Sequence, residues 1–201
     1  MIENIKWLGH AGFKIKGEKT VYIDPFKIKE IEPADIIIIT HEHFDHLSQE
    51  DIDKIQTGKT VIVTTPDCLI KVSGNIKAIN PGTVLNVDGI QIEAVPAYNT
   101  NKQFHPRANG WVGVIVTVNG KRIYHAGDTD NIPEMASLKN IDVALLPVSG
   151  TYVMTAEEAA DAANKIMPKV AIPMHYGSIV GTRADAEKFK KLCRCKVEIL
   201  G

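Results

Sequence analysis

The stretch "ADIIIITHEHFDHLSQED", residues 34–51, constrains this chain more than any other. Four consecutive isoleucines form a β-branched run, too short for a helix and without polar alternation, which predicts a fully buried strand. Directly after it come His41, His43, Asp45 and His46, four potential metal ligands within six residues. A polar turn of solvated histidines would give no reason for that density at the end of a core strand.

The rest of the chain supplies more strands than helices. "NIKWLGHAGFKIKG" and "TVYIDPF" read as strand with "GEK" turning between them, and "TVIVTT", "IKAIN", "VLNVDG" and "IQIEAVPAY" as further short strands. In "VGVIVTVNGKRIYHAGD" the Asn119-Gly120 pair is the strongest local hairpin signal. One helix is predicted to start at Ser48. A second follows the Thr155/Glu158 capping box and stops at Pro168. The third is "ADAEKFKKLC", preceded by Thr182 with Asp185 three residues on. "VAIPMH" and "VEIL" follow the last two helices as strands. Each half thus gives several strands and then at least one helix. This predicts two sheets packed face to face with helices outside, a four-layer α+β arrangement.

The 201 residues suit one domain over 1–201, with no linker, low-complexity tract or solenoid period. Twenty-three basic residues nearly balance twenty-four acidic ones, so nothing global calls for nucleic acid or an anionic membrane. Cys68, Cys193 and Cys195 are too few for a disulfide framework and fit a reducing cytoplasm. No signal peptide is apparent, and no apolar run approaches the roughly 20 residues of a spanning helix. The expectation is a cytoplasmic protein.

Imidazole and carboxylate ligate zinc and its first-row neighbours. His41 and His43, two residues apart, would point to the same side of an extended backbone. Asp45 and His46 follow where the chain must turn, toward a second location, so the spacing suits two neighbouring metals better than one. The helical zinc-protease pattern is excluded, because Asp45 stands where that motif needs its second His. Other candidates follow apolar strands, His125 and Asp128 in "IYHAGDTD" and His175 in "VAIPMHYGS", while His10 in "WLGHAGF" is expected on the first strand and His105 in the loop "NTNKQFHPRANG". A lone histidine in such a place is more often structural. Together with Asp128, however, these residues supply enough donors for a dinuclear centre.

"HEHFDH" resembles the H-x-H-x-D-H signature of the metallo-β-lactamase superfamily; "YHAGDTD" is similar to its later Asp motif and "IPMHYGS" to its final His motif. Their order fits nearly the whole chain. The short length, "GHAGF", "DPF" and "PMHYG" look most like the small metal-dependent hydrolases, which include ascorbate-phosphate lactonase-like and phospholipase-D-like members. The resemblance implies an αββα sandwich. It also implies His41 and His43 on a first metal, Asp45, His46 and His175 on a second, and Asp128 bridging. The superfamily's further His for the first metal is replaced by Asn99 in "VPAYN", and His105 is the expected substitute. His10 is expected as a ligand or as a group supporting the ligands, and His125 as structural or supporting.

Two divalent ions, zinc first and manganese, nickel or iron as alternatives, can share a water and lower its pKa from roughly 15.7 to about 7. Asp45 is the expected proton shuttle, since family members place this Asp beside the attacking water. The expected activity is hydrolysis of a small ester-type substrate, a lactone or phosphodiester. A nuclease or phosphodiesterase of the same fold is one alternative; a metal-binding protein without turnover is another, kept open by Asn99. Lys102, Arg107 and Arg183 would favour an anionic small molecule if they face the metals. Tyr98, Tyr152 and Met154 could line an apolar side.

Overall fold

A computed structural model describes residues 2–201. It contains two mixed sheets with helices on their outer faces, a metallo-β-lactamase fold. The first sheet has β1 (Ile5–Gly9), β2 (Gly12–Lys16), β3 (Thr20–Ile23), β4 (Ile36–Ile39), β5 (Val61–Thr64) and β6 (Asn75–Ala78), in that spatial order. The second has β7 (Val84–Val87), β8 (Ile90–Pro96), β9 (Val112–Val118), β10 (Lys121–His125), β11 (Val143–Pro147), β12 (Val170–Met174) and β13 (Lys196–Val197). Each sheet begins as an antiparallel meander and continues as parallel strands, β3 to β6 and β10 to β13. The duplication seen coarsely in the sequence is this repeated plan.

The isoleucine run divides its side chains between two cores. Ile36 and Ile38 enter the large cluster between the sheets, whereas Ile37 and Ile39 pack under α1 (Gln49–Ile55) with Ile52 and Ile55. A parallel strand covered on both faces therefore needs apolar residues at every position. On the far side α2 (Ala156–Ile166) buries five alanines and Ile166, and α3 (Arg183–Leu192) buries Ala186 and Phe189. Small side chains let α2 lie close to the sheet. Its start is fixed locally, as Glu158 N–H donates to Thr155 Oγ1 (3.2 Å) and Thr155 N–H to Glu158 Oε2 (2.8 Å).

Two local features depart from expectation. "NIKWLGHAGFKIKG" is two strands rather than one; the chain reverses at Gly9 and His10, whose φ values are 103° and 50°. His10 thus sits in a tight turn, not on the first strand. "VALLP" forms β11, a central strand whose Leu-rich composition carries no clear strand signal. β12 forms over "VAIPM" as expected, with Pro173 inside it. The sheet tolerates it because β13 pairs only with Val170 and Ala171, leaving the Pro173 edge without a ladder partner to lose. At Asn119-Gly120 both residues are left-handed (φ 49° and 69°), closing the β9–β10 hairpin on Val118 and Lys121.

One rim collects the chemistry. The carboxyl ends of β3, β4, β10, β11 and β12 lead to Asp24, His41, Asp128, Ser149 and His175, and the loop after β8 carries Asn99 and His105. Close backbone approach holds that rim together: a Cβ on Gly113 would meet Ala126 O at 2.7 Å, beside the loop that carries Asp128. No described helix is long and apolar enough to cross a membrane.

Candidate metal centre

After Ile39 the backbone does not stay extended. His46 and Leu47 N–H both donate to His43 O (3.0 and 2.8 Å), curling residues 41–47 into a tight turn. That turn, rather than strand alternation, sends His41 and His43 one way and Asp45 and His46 another. The ligand atoms of His41, His43 and His105 lie within 4.8 Å of one another, and so do those of His10, Asp45, His46 and His175. A third group, His41, His46 and Asp128, joins the two. Asp128 Oδ1 is 3.3 Å from His46 Nε2, while its Oδ2 is 3.2 Å from His105 Nε2 and 3.1 Å from His175 Nε2. One carboxylate thus spans both sets.

The donor set fits metal ions on a specific ground. His46 Nε2, His105 Nε2, His175 Nε2, Asp128 Oδ1 and His10 Nδ1 are buried and have no hydrogen-bond partner. Buried polar atoms are almost always paired, so the three imidazole nitrogens of His46, His105 and His175 gathered within 3.3 Å of the Asp128 carboxylate, with Asp128 Oδ1 itself, call for an electrophile. The opposite ring nitrogens are, by contrast, occupied. His46 Nδ1–H donates to Asp24 Oδ2 (2.7 Å), His105 Nδ1–H to Asn99 Oδ1 (3.1 Å), His175 Nδ1–H to Ser149 Oγ (3.0 Å) and His41 Nδ1–H to Thr40 Oγ1 (3.0 Å). At His41 and His105 the partner fixes the tautomer that leaves Nε2 with a free lone pair, since the Thr40 hydroxyl itself donates to Asp24 and Asn99 Oδ1 only accepts. His41 Nε2 and His43 Nδ1, 3.1 Å apart, converge in the same way.

Charge is arranged to match. Burial pushes His41 well below its ordinary pKa, with His46 adding to the effect; burial also lowers His43 and His10. These imidazoles are neutral, as ligands must be. Burial alone would raise Asp128, but His175 and His46 hold it well below the usual carboxylate range. Burial is likewise outweighed at Asp45, which the His10 hydrogen bond (2.9 Å) keeps low. His46 is the exception: burial opposes its charge, yet Asp128 and Asp24 on either side raise its pKa well above normal. An ion bound at Nε2 would therefore displace a proton. The backbone is held in uncommon conformations here too, with positive φ at His10, Asp24 and His175 (50°, 45° and 61°). His175 N–H donates to His10 O at 2.8 Å, pinning two of these residues to each other.

The remaining sequence candidates fall outside the clusters. His125 Nε2–H donates to Ala11 O (2.8 Å) and its Nδ1 accepts from Gly127 N–H (3.1 Å), bracing the loop before Asp128. Lys102 is paired with Asp130 (2.7 Å), Arg107 with Glu134 (3.0 Å) and Arg183 with Glu187 (3.5 Å), and none of the three lines the cleft over the centre. Tyr152 does line it; Tyr98 donates to Glu134 (2.9 Å), and Met154 belongs to the core.

Four supporting residues were not singled out from sequence: Asp24, Thr40, Ser149 and Asp130. Asp24 stood in plain view in "VYIDPF", an acid at the end of an apolar strand. Asn99 takes a role other than ligand. Its Oδ1 accepts from both the ring (3.1 Å) and the backbone N–H (2.9 Å) of His105, and its Nδ2 donates to Asp130 Oδ1 (3.1 Å) and Tyr152 O (3.0 Å). Asn99→Ala should weaken metal binding about 10–100-fold, read as the chelator concentration that strips the protein; unchanged retention would contradict this role.

The profile of the beta-lactamase superfamily domain matches residues 4–175. A UPF0173 metal-dependent hydrolase of Thermococcus onnurineus is 34% identical over 98% of this chain and 94% of that protein. The chain belongs to this family, within the metallo-β-lactamase superfamily. The UPF0173 relative from Pyrococcus abyssi is 36% identical, again over 98% of this chain and 94% of its own length. The crystal structure of a Parabacteroides distasonis protein assigned to the metal-dependent hydrolases superposes with a TM-score of 0.87 at 35% identity, covering 97% of this chain and 91% of that one. The superfamily fold thus extends over nearly all of the UPF0173 chain.

Proposed function

We propose that the protein is a dinuclear metal-dependent hydrolase of a small ester-type substrate, a lactone or phosphodiester. The observation that carries this reading is the pair of ligand groups joined by Asp128, with ligand atoms within 4.8 Å in each. His41, His43 and His105 would hold one ion, Asp45, His46, His175 and His10 the other, and Asp128 both. Such ions supply Lewis acidity and lower the pKa of water to about 7; zinc suits the nitrogen-rich first set, and manganese, nickel or iron are the alternatives.

The chain's own groups do the rest. Asp45 lines the cleft and is part of the second ligand set, so its carboxylate can take the proton of an attacking water and return it to a leaving oxygen. His10 holds that carboxylate in place through the 2.9 Å hydrogen bond. The cleft, about 270 Å³, is of a size to take a small molecule. Incubation of the metal-loaded protein with a lactone, a 4-nitrophenyl ester and bis(4-nitrophenyl) phosphate should show turnover that chelation abolishes and added metal restores. Absence of metal-dependent turnover across the panel would overturn the reading.

A further inference from the structure

Resting on that hydrolase reading, we propose that the substrate is an uncharged carboxylic ester or lactone with an apolar arm, bound against Phe44, Phe104, Tyr152 and Ile179. The cleft has a polar floor of His43, Asp45, His105 and Asp128, and Phe44, Phe104, Tyr152 and Ile179 form its wall. Phe44 is 69% exposed and Phe104 49%. Single exposed apolar residues are ordinary, but several around one mouth mark a binding surface.

Their sequence positions make the arrangement a consequence of the ligand loops. Phe44 lies between His43 and Asp45, and Phe104 precedes His105, so the turns that aim ligands inward aim these rings at the rim. Both rings are braced: Phe44 edge-on to Phe26 (centroids 5.9 Å apart), Phe104 edge-on to Tyr152 (4.7 Å). Tyr152 is tied in turn to Asn99, the residue that orients His105.

No lysine or arginine lines the cleft, and the three nearby in sequence are committed to carboxylates. Beyond the ions themselves, nothing there rewards an anionic substituent, whereas the wall rewards carbon. The volume of about 270 Å³ is that of a small-ligand site, with room for a short alkyl arm beside the scissile carbonyl.

The test is a series of 4-nitrophenyl acetate, butyrate and hexanoate, with bis(4-nitrophenyl) phosphate as the anionic probe, on the metal-loaded protein. We expect kcat/KM to rise up to about fourfold per added methylene, and to be lower for the phosphodiester than for the hexanoate. Phe104→Ala should cut the hexanoate-over-acetate ratio at least fivefold; as a partly exposed rim residue it can be replaced without opening the core. Titration calorimetry should find hexanoate, the product, binding tighter than acetate. Metal-dependent turnover that is flat with chain length would overturn the inference and leave the hydrolase reading standing. If no probe is turned over, that reading fails, and equal binding of hexanoate and acetate would overturn the inference by itself. A Phe44→Ala variant that converts a dimer to a monomer without changing the ratio would assign the rim to a second copy and also overturn it.

Discussion

Asp45→Ala should lower kcat/KM by about 10²–10⁴-fold on whichever ester the wild-type protein cleaves, with the circular dichroism spectrum unchanged. Asp45 is the one carboxylate that both lines the cleft and belongs to a ligand group joined to His10, His46 and His175. Its side chain retains 13% exposure, against 3% for Asp128, so it can exchange protons with substrate while Asp128 cannot be reached as easily. Because Asp45 lines the open cleft rather than the apolar core, its loss opens no cavity there. Asp45→Asn separates its two duties. The amide keeps an oxygen donor but cannot accept a proton, so metal content should fall less than activity. Activity within tenfold of wild type in both variants would contradict the assignment.

Asp24→Ala should have the largest effect on stability. Asp24 is fully buried and accepts from three donors: His46 Nδ1 (2.7 Å), Thr40 N–H (2.8 Å) and Thr40 Oγ1 (2.7 Å). Removing it strands all of them, and each buried orphan costs about 1–3 kcal/mol. The loss is expected to total about 3–5 kcal/mol, as for other broken buried pairs. In a chain of this size that lowers Tm by roughly 6–20 °C. The disturbance also travels to the metal centre, since Thr40 Oγ1 orients His41 and Asp24 itself orients His46. Thermal unfolding of the chelated protein isolates the stability effect, and retention of metal by the untreated protein reads the second effect. A Tm change under 3 °C would show that Asp24 is not the keystone the geometry makes it.

The fold is legible in sequence wherever its cause is local. Thr155 and Glu158, or Asn119 and Gly120, carry their own geometry within four residues, and the structure shows both the cap and the hairpin. The run Ile36–Ile39 announces burial because no position escapes it. β11 was missed because "VALLP" owes its extended form to β10 and β12 on either side, not to its own residues. The turn at His10 was missed because the apolar flanks of "WLGHAGF" read as one strand, whereas the chain closes a hairpin between Gly9 and Gly12, with His175 N–H on His10 O. The same division runs through the site. His41, His43, Asp45 and His46 are conspicuous by crowding, and His10, His105, Asp128 and His175 by their company. Asp24, Ser149 and Thr40 look like ordinary strand-end polar residues until the chain brings Asp24 to His46, 22 positions away, and Ser149 to His175, 26 away. The Asn99 position reads as a lost ligand in one dimension and as the support of His105 in three.

The central claim is that this rim holds ions side by side. Elemental analysis of the purified protein, paired with anomalous diffraction at the absorption edge of the metal found, tests it most directly. The account expects about two first-row ions per chain, one among His41, His43 and His105 and one among His10, Asp45, His46 and His175, with Asp128 between them. Anomalous peaks elsewhere on the protein, or a metal-replete sample with no ion in contact with Asp128, would contradict it.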